Sequence, residues 1–344
     1  MPYRGVLEDI ERCVRLGKPR RMPVFACSEE FDVRVCGEVY SRYNSDPDVM
    51  ATVQKEVIRR FDYDWAWLQV DDCIEFEPLG VGVKGEGNIL PATVGYLPAT
   101  RETLRGLRLP DPERDGRMPV LLEAIRRLKE EFRDTVCVVG RTAAPFSSVT
   151  LLYGIEETMG LIFSDPSLLK DTCQFFMELQ TEWGKAQIEA GADAIWFGDC
   201  NASTHLISPR HYAEFALEPA QAVTEAYKRE GAFVFYHASE ESIEGLKLMA
   251  EVSPSALSVG PGLDIVKAKE AVGSKICLIG NLDPINILER GRPEEVRAET
   301  QRILEVARGG GLLFNTGEMV PRATPEENIL AMVETIKGWG EGNA

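Results

Sequence analysis

Phe233-Val234-Phe235-Tyr236-His237-Ala238-Ser239-Glu240 decides how the rest of this 344-residue chain is read. Its apolar half is aromatic and β-branched, short and unbroken, which is the pattern of a buried strand. The run passes directly into His237, Ser239 and Glu240, groups able to hold a metal or a proton. Far downstream, Leu312-Leu313-Phe314-Asn315-Thr316-Gly317-Glu318 has the same form, with Glu318 just beyond the strand.

Outward from these two stretches the pattern alternates. Toward the C-terminus, helical spacing over 241–252, 264–272 and 294–308 separates strand-like runs at 256–259, 276–280 and 312–315, and a last helix is expected over 325–339. Toward the N-terminus come a helix over 209–229, a strand at 194–198, and a helical region over 145–190 broken at Gly154 and at Asp165-Pro166. Before these lie strands at 135–140 and 65–70, helices over 120–132 and from the Asp46-Pro47-Asp48 cap to Arg60, a first strand at Met22-Pro23-Val24-Phe25-Ala26, and a helix over 5–17.

Eight strand candidates that mostly alternate with helices predict an α/β fold, a closed (β/α)8 TIM barrel. The competitor is an open doubly wound sheet, but no Gly-x-Gly-x-x-Gly stands between a strand and a helix. Residues 1–344 are read as a single barrel domain with an N-terminal helical extension. A Gly- and Pro-rich excursion at about 80–112 is expected to fold over the site.

Fifty-five acidic against thirty-eight basic residues give a formal charge of −17, which argues against nucleic acid or an anionic membrane as partner. No apolar run approaches the roughly 18 residues that span a bilayer. The start Met1-Pro2-Tyr3-Arg4-Gly5 has no signal-peptide core, so a cytoplasmic location is expected. Eight cysteines are spread singly with no Cys-x-x-Cys pair, the pattern of reduced thiols.

In a parallel barrel the residues just past the strands share one mouth, where chemistry is done. Here these are Asp71, Asp72, Arg141, Asp199, Cys200, His237, Ser239, Asn281 and Glu318. His237 is one of only three histidines and can be a neutral imidazole satisfied by a backbone carbonyl or a metal ligand; Glu318 must approach it across the mouth. A catalytic zinc takes three protein ligands, and the third is left open among Ser239, Glu240, Cys200 and Asp199, with Ser239 the poorest donor. Asp71 and Asp72 are either a cap or solvated loop pair, or mouth groups of which one is raised in pKa by the other and suits proton transfer. Arg141 can bind a substrate carboxylate or pair with Asp199. Asn281 is a candidate cofactor contact, although Asn281-Leu282-Asp283-Pro284 reads first as a loop-shaping turn with Asp283 capping the next helix. His205 and His211 read as surface residues.

Several segments, in order, resemble the uroporphyrinogen decarboxylase superfamily, and in particular its cobamide-dependent methyltransferase branch. They are Ala144-Pro145-Phe146 with Tyr153-Gly154, Glu189-Ala190-Gly191-Ala192-Asp193-Ala194, Leu206-Ile207-Ser208-Pro209-Arg210-His211-Tyr212-Ala213-Glu214-Phe215 and Leu278-Ile279-Gly280-Asn281-Leu282-Asp283-Pro284. Gly291-Arg292-Pro293-Glu294-Glu295-Val296 and Thr324-Pro325-Glu326-Glu327-Asn328-Ile329 continue it, so the likeness covers nearly the whole chain. The resemblance implies a (β/α)8 barrel. Methyltransferases of the methylcobamide:coenzyme M type carry a His-x-Cys after strand five and a Cys after strand eight that bind zinc. His237 matches the His, while Ser239 and Glu318 stand at the two Cys positions, which leaves zinc, an oxygen-rich harder metal site, or no metal as alternatives.

What the resemblance implies is a methyltransferase that moves a methyl group between a small methylated substrate, for instance an O-methyl ether, and the corrinoid of a separate protein. The chain has no Asp-x-His-x-x-Gly corrinoid motif of its own. A metal on His237 and Glu318 would act as Lewis acid, with Asp199 or Asp71 orienting or protonating the leaving group. Two alternatives stand beside this. One is metal-free decarboxylation of a tetrapyrrole, although Leu16-Gly17-Lys18-Pro19-Arg20-Arg21-Met22-Pro23 replaces the decarboxylases' Arg-Gln-Ala-Gly-Arg and only the aspartate near Glu77 and Gly80 matches. The other is a non-catalytic barrel that binds a corrinoid protein.

Overall fold

In the computed structural model, which describes residues 2–339, seven parallel strands form one sheet. They are β1 (Trp65–Trp67), β4 (Cys137–Ala143), β5 (Ala194–Gly198), β6 (Phe233–His237), β7 (Ala256–Ser258), β8 (Cys277–Leu282) and β9 (Leu312–Thr316), adjacent in that order. The remaining two, β2 (Gly82–Lys84) and β3 (Ala92–Gly95), make a separate antiparallel hairpin. Helices join the successive parallel strands, and the architecture is the expected (β/α)8 barrel.

The expected first strand is the exception. Residues 22–26 run extended and buried where the eighth stave belongs, between β9 and β1, but form no ladder. Asp64 N–H donates to the Val24 carbonyl at 3.0 Å and Trp65 Nε1 to the Ala26 carbonyl at 2.9 Å. On the other side Cys27 N–H turns to the Thr316 hydroxyl at 3.1 Å. Side chains thus take hydrogen bonds that a paired strand would give to backbone, so the barrel closes without a regular eighth strand.

The two-residue period of a strand sorts these staves into two layers. Cys137 and Val139, Ala194 and Trp196, Phe235, Ala256, Cys277 and Ile279, and Leu313 point inward, with Phe25, Cys27, Trp65 and Trp67. The alternate residues Val138, Ile195, Phe197, Val234, Tyr236, Leu257, Leu278 and Phe314 pack outward under the helices. Both faces are buried, which is why each strand reads as a continuous apolar run. Inside the barrel Phe25 stacks on Trp65 at 4.5 Å, Trp65 on Trp67 at 6.0 Å, and Trp196 meets Trp67 edge-on at 86°. Val6, Ile10 and Cys13 of helix Val6–Val14 join this interior cluster.

The long helical region divides as its breaks predict, into Pro145–Tyr153, Ile155–Ser164 and Pro166–Ala190, with the Asp165 side chain accepting from Leu168 N–H. The helix expected over 209–229 is interrupted by a π-helical stretch, Tyr212–Ala216, ahead of Leu217–Arg229. Pro219 has no N–H for the carbonyl one turn back, and the ladder widens just upstream of it.

The excursion after Gly80 contains the hairpin and helix Arg101–Gly106. It docks sideways: Ser41 N–H donates to the Gly87 carbonyl at 2.8 Å, and Leu97 N–H to the Leu152 carbonyl at 2.9 Å. None of its residues lines the cavity at the barrel mouth. Among the described residues no helix is long and apolar enough to cross a membrane.

Candidate active site

Inward parity carries past the apolar layers to the last residues of each strand. Gln69 follows Trp67, Arg141 follows Val139, and His237 follows Phe235, so each projects into the barrel at its C-terminal end. A cavity of about 210 Å³ opens there. Trp67, Trp196, Leu151 and Met319 form its apolar wall; Gln69, Asp72, Arg141, Ser147, Cys200, Asn201, His237 and Glu318 supply its polar groups.

His237 is buried and held on both nitrogens. Nδ1 lies 2.9 Å from the Ser258 hydroxyl, Nε2 lies 3.4 Å from Glu318 Oε2, and the ring packs on Trp196 at 4.8 Å. Burial resists a charge on the imidazole, but the Glu318 carboxylate and Cys200 beside it lift its pKa well above the usual value. For Glu318, burial pushes the carboxyl up and His237 more than offsets this, leaving it below the ordinary range. The pair therefore rests as imidazolium and carboxylate. Glu318 Oε1 is buried with no hydrogen-bond partner.

Ser239 and Cys200 complete the group. Ser239 Oγ is 3.4 Å from His237 Nε2 and 3.4 Å from Cys200 Sγ, which also faces the His237 carbonyl at 3.9 Å. Ser239 has a φ of 51°, a left-handed kink at the strand end. The next residue, Glu240, serves structure: it accepts from Thr204 N–H and Oγ1 at 2.8 and 2.6 Å and from Ser242 N–H at 2.7 Å, tying two mouth loops together.

Asp199 has the opposite parity, with Ile195 and Phe197, and is fully buried in the outer layer. It accepts from Ser147 Oγ at 2.7 Å and from the Tyr236 hydroxyl, and burial raises its carboxyl to about 6. It does not line the cavity, whereas Ser147, its hydrogen-bond partner, does. Arg141 does not pair with Asp199 either. Its two terminal nitrogens donate to Glu75 Oε2 at 2.6 Å and to Asp72 Oδ1 at 2.9 Å.

Asp71 and Asp72 diverge. Asp72 lines the cavity and also accepts from Gln69 Nε2 at 2.9 Å. Asp71 is buried away from it, accepting from both terminal nitrogens of Arg117, at 2.6 and 3.1 Å, and from Cys73 N–H at 2.8 Å. The expected pair of mouth-facing aspartates is not formed, because Arg117, shared with Glu77, draws Asp71 outward. Asn281 donates to the carbonyls of Gly260 and Leu263 at 2.9 and 2.7 Å and is not among the residues lining the mouth cavity, so its amide ties a loop there. Asp283 caps the next turn as expected, accepting from Ile285 and Asn286 N–H. His205 is exposed beside Glu241, and His211 packs on Phe163.

Reading the strand ends left out Glu75, Ser258 and the two indoles. Ser258 and Trp196 carry a usable signal, the inward parity they share with Ala256 and Ala194. Glu75 carries none, since it reaches Arg141 across 66 residues of chain.

The profile of the uroporphyrinogen decarboxylase family matches residues 7–339. The chain is similar to the methylcobamide:CoM methyltransferase MtbA of Methanosarcina acetivorans, with 27% identity over 339 residues, 96% of this chain and 97% of that protein. It is also similar to the uroporphyrinogen decarboxylase of Methylococcus capsulatus, with 27% identity over 312 residues, 85% of this chain and 84% of that protein. Among solved structures, a methyltransferase from Methanosarcina mazei aligns with a TM-score of 0.87 at 23% identity, covering 96% of this chain and 98% of that one, a likeness of fold.

Proposed function

The chain belongs to the uroporphyrinogen decarboxylase family, and from that premise we propose that it is a methyltransferase moving a methyl group between a small methylated substrate and the corrinoid of a separate protein. The observation that carries the reading is the His237–Glu318 pair, 3.4 Å apart on the wall of a small, partly aromatic cavity. The similarity to a methylcobamide:CoM methyltransferase over nearly the full length of both chains supports it.

Size favours this over tetrapyrrole decarboxylation. About 210 Å³ falls below the roughly 300–1,000 Å³ of pockets that enclose drug-sized ligands, and a tetrapyrrole is larger again. A corrin ring is larger than this cavity as well, and in this reading cobalt would be presented at the open mouth by a partner. Trp67, Trp196, Leu151 and Met319 would keep water from the departing methyl, while Gln69, Ser147 and Asn201 offer hydrogen bonds that orient the remainder.

A metal at this site belongs to the proposal. Among the described residues no three His, Cys, Asp or Glu side chains stand together as a ready-made ligand set. The support comes from the oxygen-rich group itself. Ligands about 2.0–2.1 Å from a tetrahedral zinc lie about 3.3 Å apart, and His237 Nε2 is 3.4 Å from both Glu318 Oε2 and Ser239 Oγ. Glu318 Oε1 is buried and unpartnered, and Ser258 on Nδ1 leaves Nε2 free to coordinate. His237 and Glu318 would hold the metal, with Ser239 as the third ligand and Cys200, 3.4 Å from Ser239, beside it. When bound it would supply Lewis acidity to the substrate heteroatom that keeps the bond pair as the methyl leaves for Co(I).

The test is methyl transfer from a panel of methylated ethers, amines and thioethers to a reduced corrinoid protein, followed by the visible spectrum of the cobalt. Formation of methylcobalt with one donor class supports the reading. Binding of the corrinoid protein without transfer from any donor would leave a non-catalytic barrel, and consumption of uroporphyrinogen would establish the decarboxylase instead.

A further inference from the structure

A guanidinium at a cavity wall must be paired, and the two partners of Arg141 are unequal. Arg141 has a side-chain exposure of 3%. Glu75 is fully buried and held by a second donor, Ala143 N–H at 3.3 Å, so it is a fixed counter-ion. Asp72 has a side chain 62% exposed on the solvent side of the same cavity. An ion pair to so exposed a carboxylate is held weakly, whereas the pair to Glu75 is costly to break. A planar guanidinium with five N–H donors can present two of them side by side to an incoming carboxylate. Asp72 thus occupies a place that another anion can take.

From Arg141 the sheet register leads across the floor of the cavity. Arg141 on β4 lies opposite Trp196 on β5, and Gly198 on β5 lies opposite His237 on β6. Two interstrand steps place the Arg141 and His237 strands about 10 Å apart. Trp196 stands between them, 4.8 Å from the His237 ring and 5.8 Å from Trp67. One end of the cavity therefore offers a fixed cation, the middle two indoles, and the other end Glu318 with His237.

We propose that the substrate is a planar methylated carboxylate, an aromatic or conjugated acid. Its carboxylate displaces Asp72 from Arg141, its flat body lies against Trp67 and Trp196, and its methylated heteroatom points to Glu318 and His237. The choice of reacting end rests on the methyl-transfer reading. The anion subsite does not.

The test is equilibrium binding, by calorimetry in the absence of corrinoid, of 4-methoxybenzoate, its neutral methyl ester and the matching benzylammonium ion. The proteins are the wild type, Asp72→Asn, and Arg141→Gln combined with Glu75→Gln so that no buried charge is stranded, each checked for folding by circular dichroism. The acid is expected to bind at least tenfold tighter than the ester. Asp72→Asn should tighten the acid severalfold without changing the ester, and the double variant should abolish the preference for the acid. Equal affinity of acid and ester, an acid preference that survives in the folded double variant, or tighter binding of the ammonium ion would overturn the subsite. Acid binding without methyl transfer would remove the methyltransferase reading alone. Transfer from uncharged donors with no acid binding would remove this inference alone.

Discussion

His237 and Glu318 meet at 3.4 Å although their strands, β6 and β9, are three positions apart in the sheet. They meet because both project across the mouth of a closed barrel and not along its wall. Neighbouring strands lie about 4.8 Å apart, so three steps along the sheet would separate them by well over 10 Å.

The pair makes stability depend on pH with a defined sign. The His237 pKa is raised well above its ordinary 6.5, so its contribution is fully present below about 6.5 and fades as the pH rises through the raised value. The Glu318 pKa is lowered from 4.5, so its contribution is present above about 4.5 and is lost as the pH falls through the lowered value. In thermal melts of metal-free protein, the gap between wild type and Glu318→Gln should be widest between about pH 4.5 and 6.5. It should be about 1 kcal/mol, since the Glu318 side chain is 35% exposed and screened. A gap that grows steadily above pH 7 would contradict the ion pair.

Metal entry has to displace the proton on His237. Metal content measured by inductively coupled plasma mass spectrometry is expected at about one ion per chain, lost in His237→Ala, with affinity rising as the pH climbs toward the raised His237 pKa. A folded wild type that takes up no added zinc, cobalt or manganese would show that His237 and Glu318 hold no metal.

Ser258 positions the His237 ring through Nδ1 at 2.9 Å. Ser258→Ala should lower metal affinity and transfer by about 10- to 100-fold, and Ser258→Thr, which keeps the hydroxyl, should restore most of both. Equal loss in the two variants would point to packing and not to the hydrogen bond.

Asp199 lies behind the cavity wall, so Asp199→Asn, which keeps one of its two acceptor oxygens, should leave transfer within about threefold of wild type. Its carboxyl is raised from 3.8 to about 6, so its contribution is complete below 3.8 and lost as the pH rises through about 6. Relative to wild type, the variant should therefore gain stability from pH 4 to pH 7. A loss of transfer beyond tenfold would restore Asp199 to the chemistry.

Much of the fold was legible because burial on both faces writes each parallel strand as an apolar run, as at 194–198 and 233–237. The first strand failed because residues 22–26 are just as apolar but hydrogen-bond to the side chains of Asp64 and Trp65 as well as to backbone. The site was legible where a residue both ends a strand and points inward, as His237 and Arg141 do. Asp199 ends a strand as well, yet two-residue parity with Phe197 turns it outward, a signal present in the sequence and not used. The pairing of Asp71 with Arg117 and of Arg141 with Glu75 could not be read, since neither pair is close in sequence or patterned.

The most direct measurement is single-turnover methyl transfer to a reduced corrinoid protein by wild type and Glu318→Gln, alongside circular dichroism of both. Methylcobalt should form with the wild type and be lost by at least about a hundredfold in a variant that remains folded, because Glu318 would hold both His237 and any metal at the reacting end. Undiminished transfer by Glu318→Gln would contradict that role.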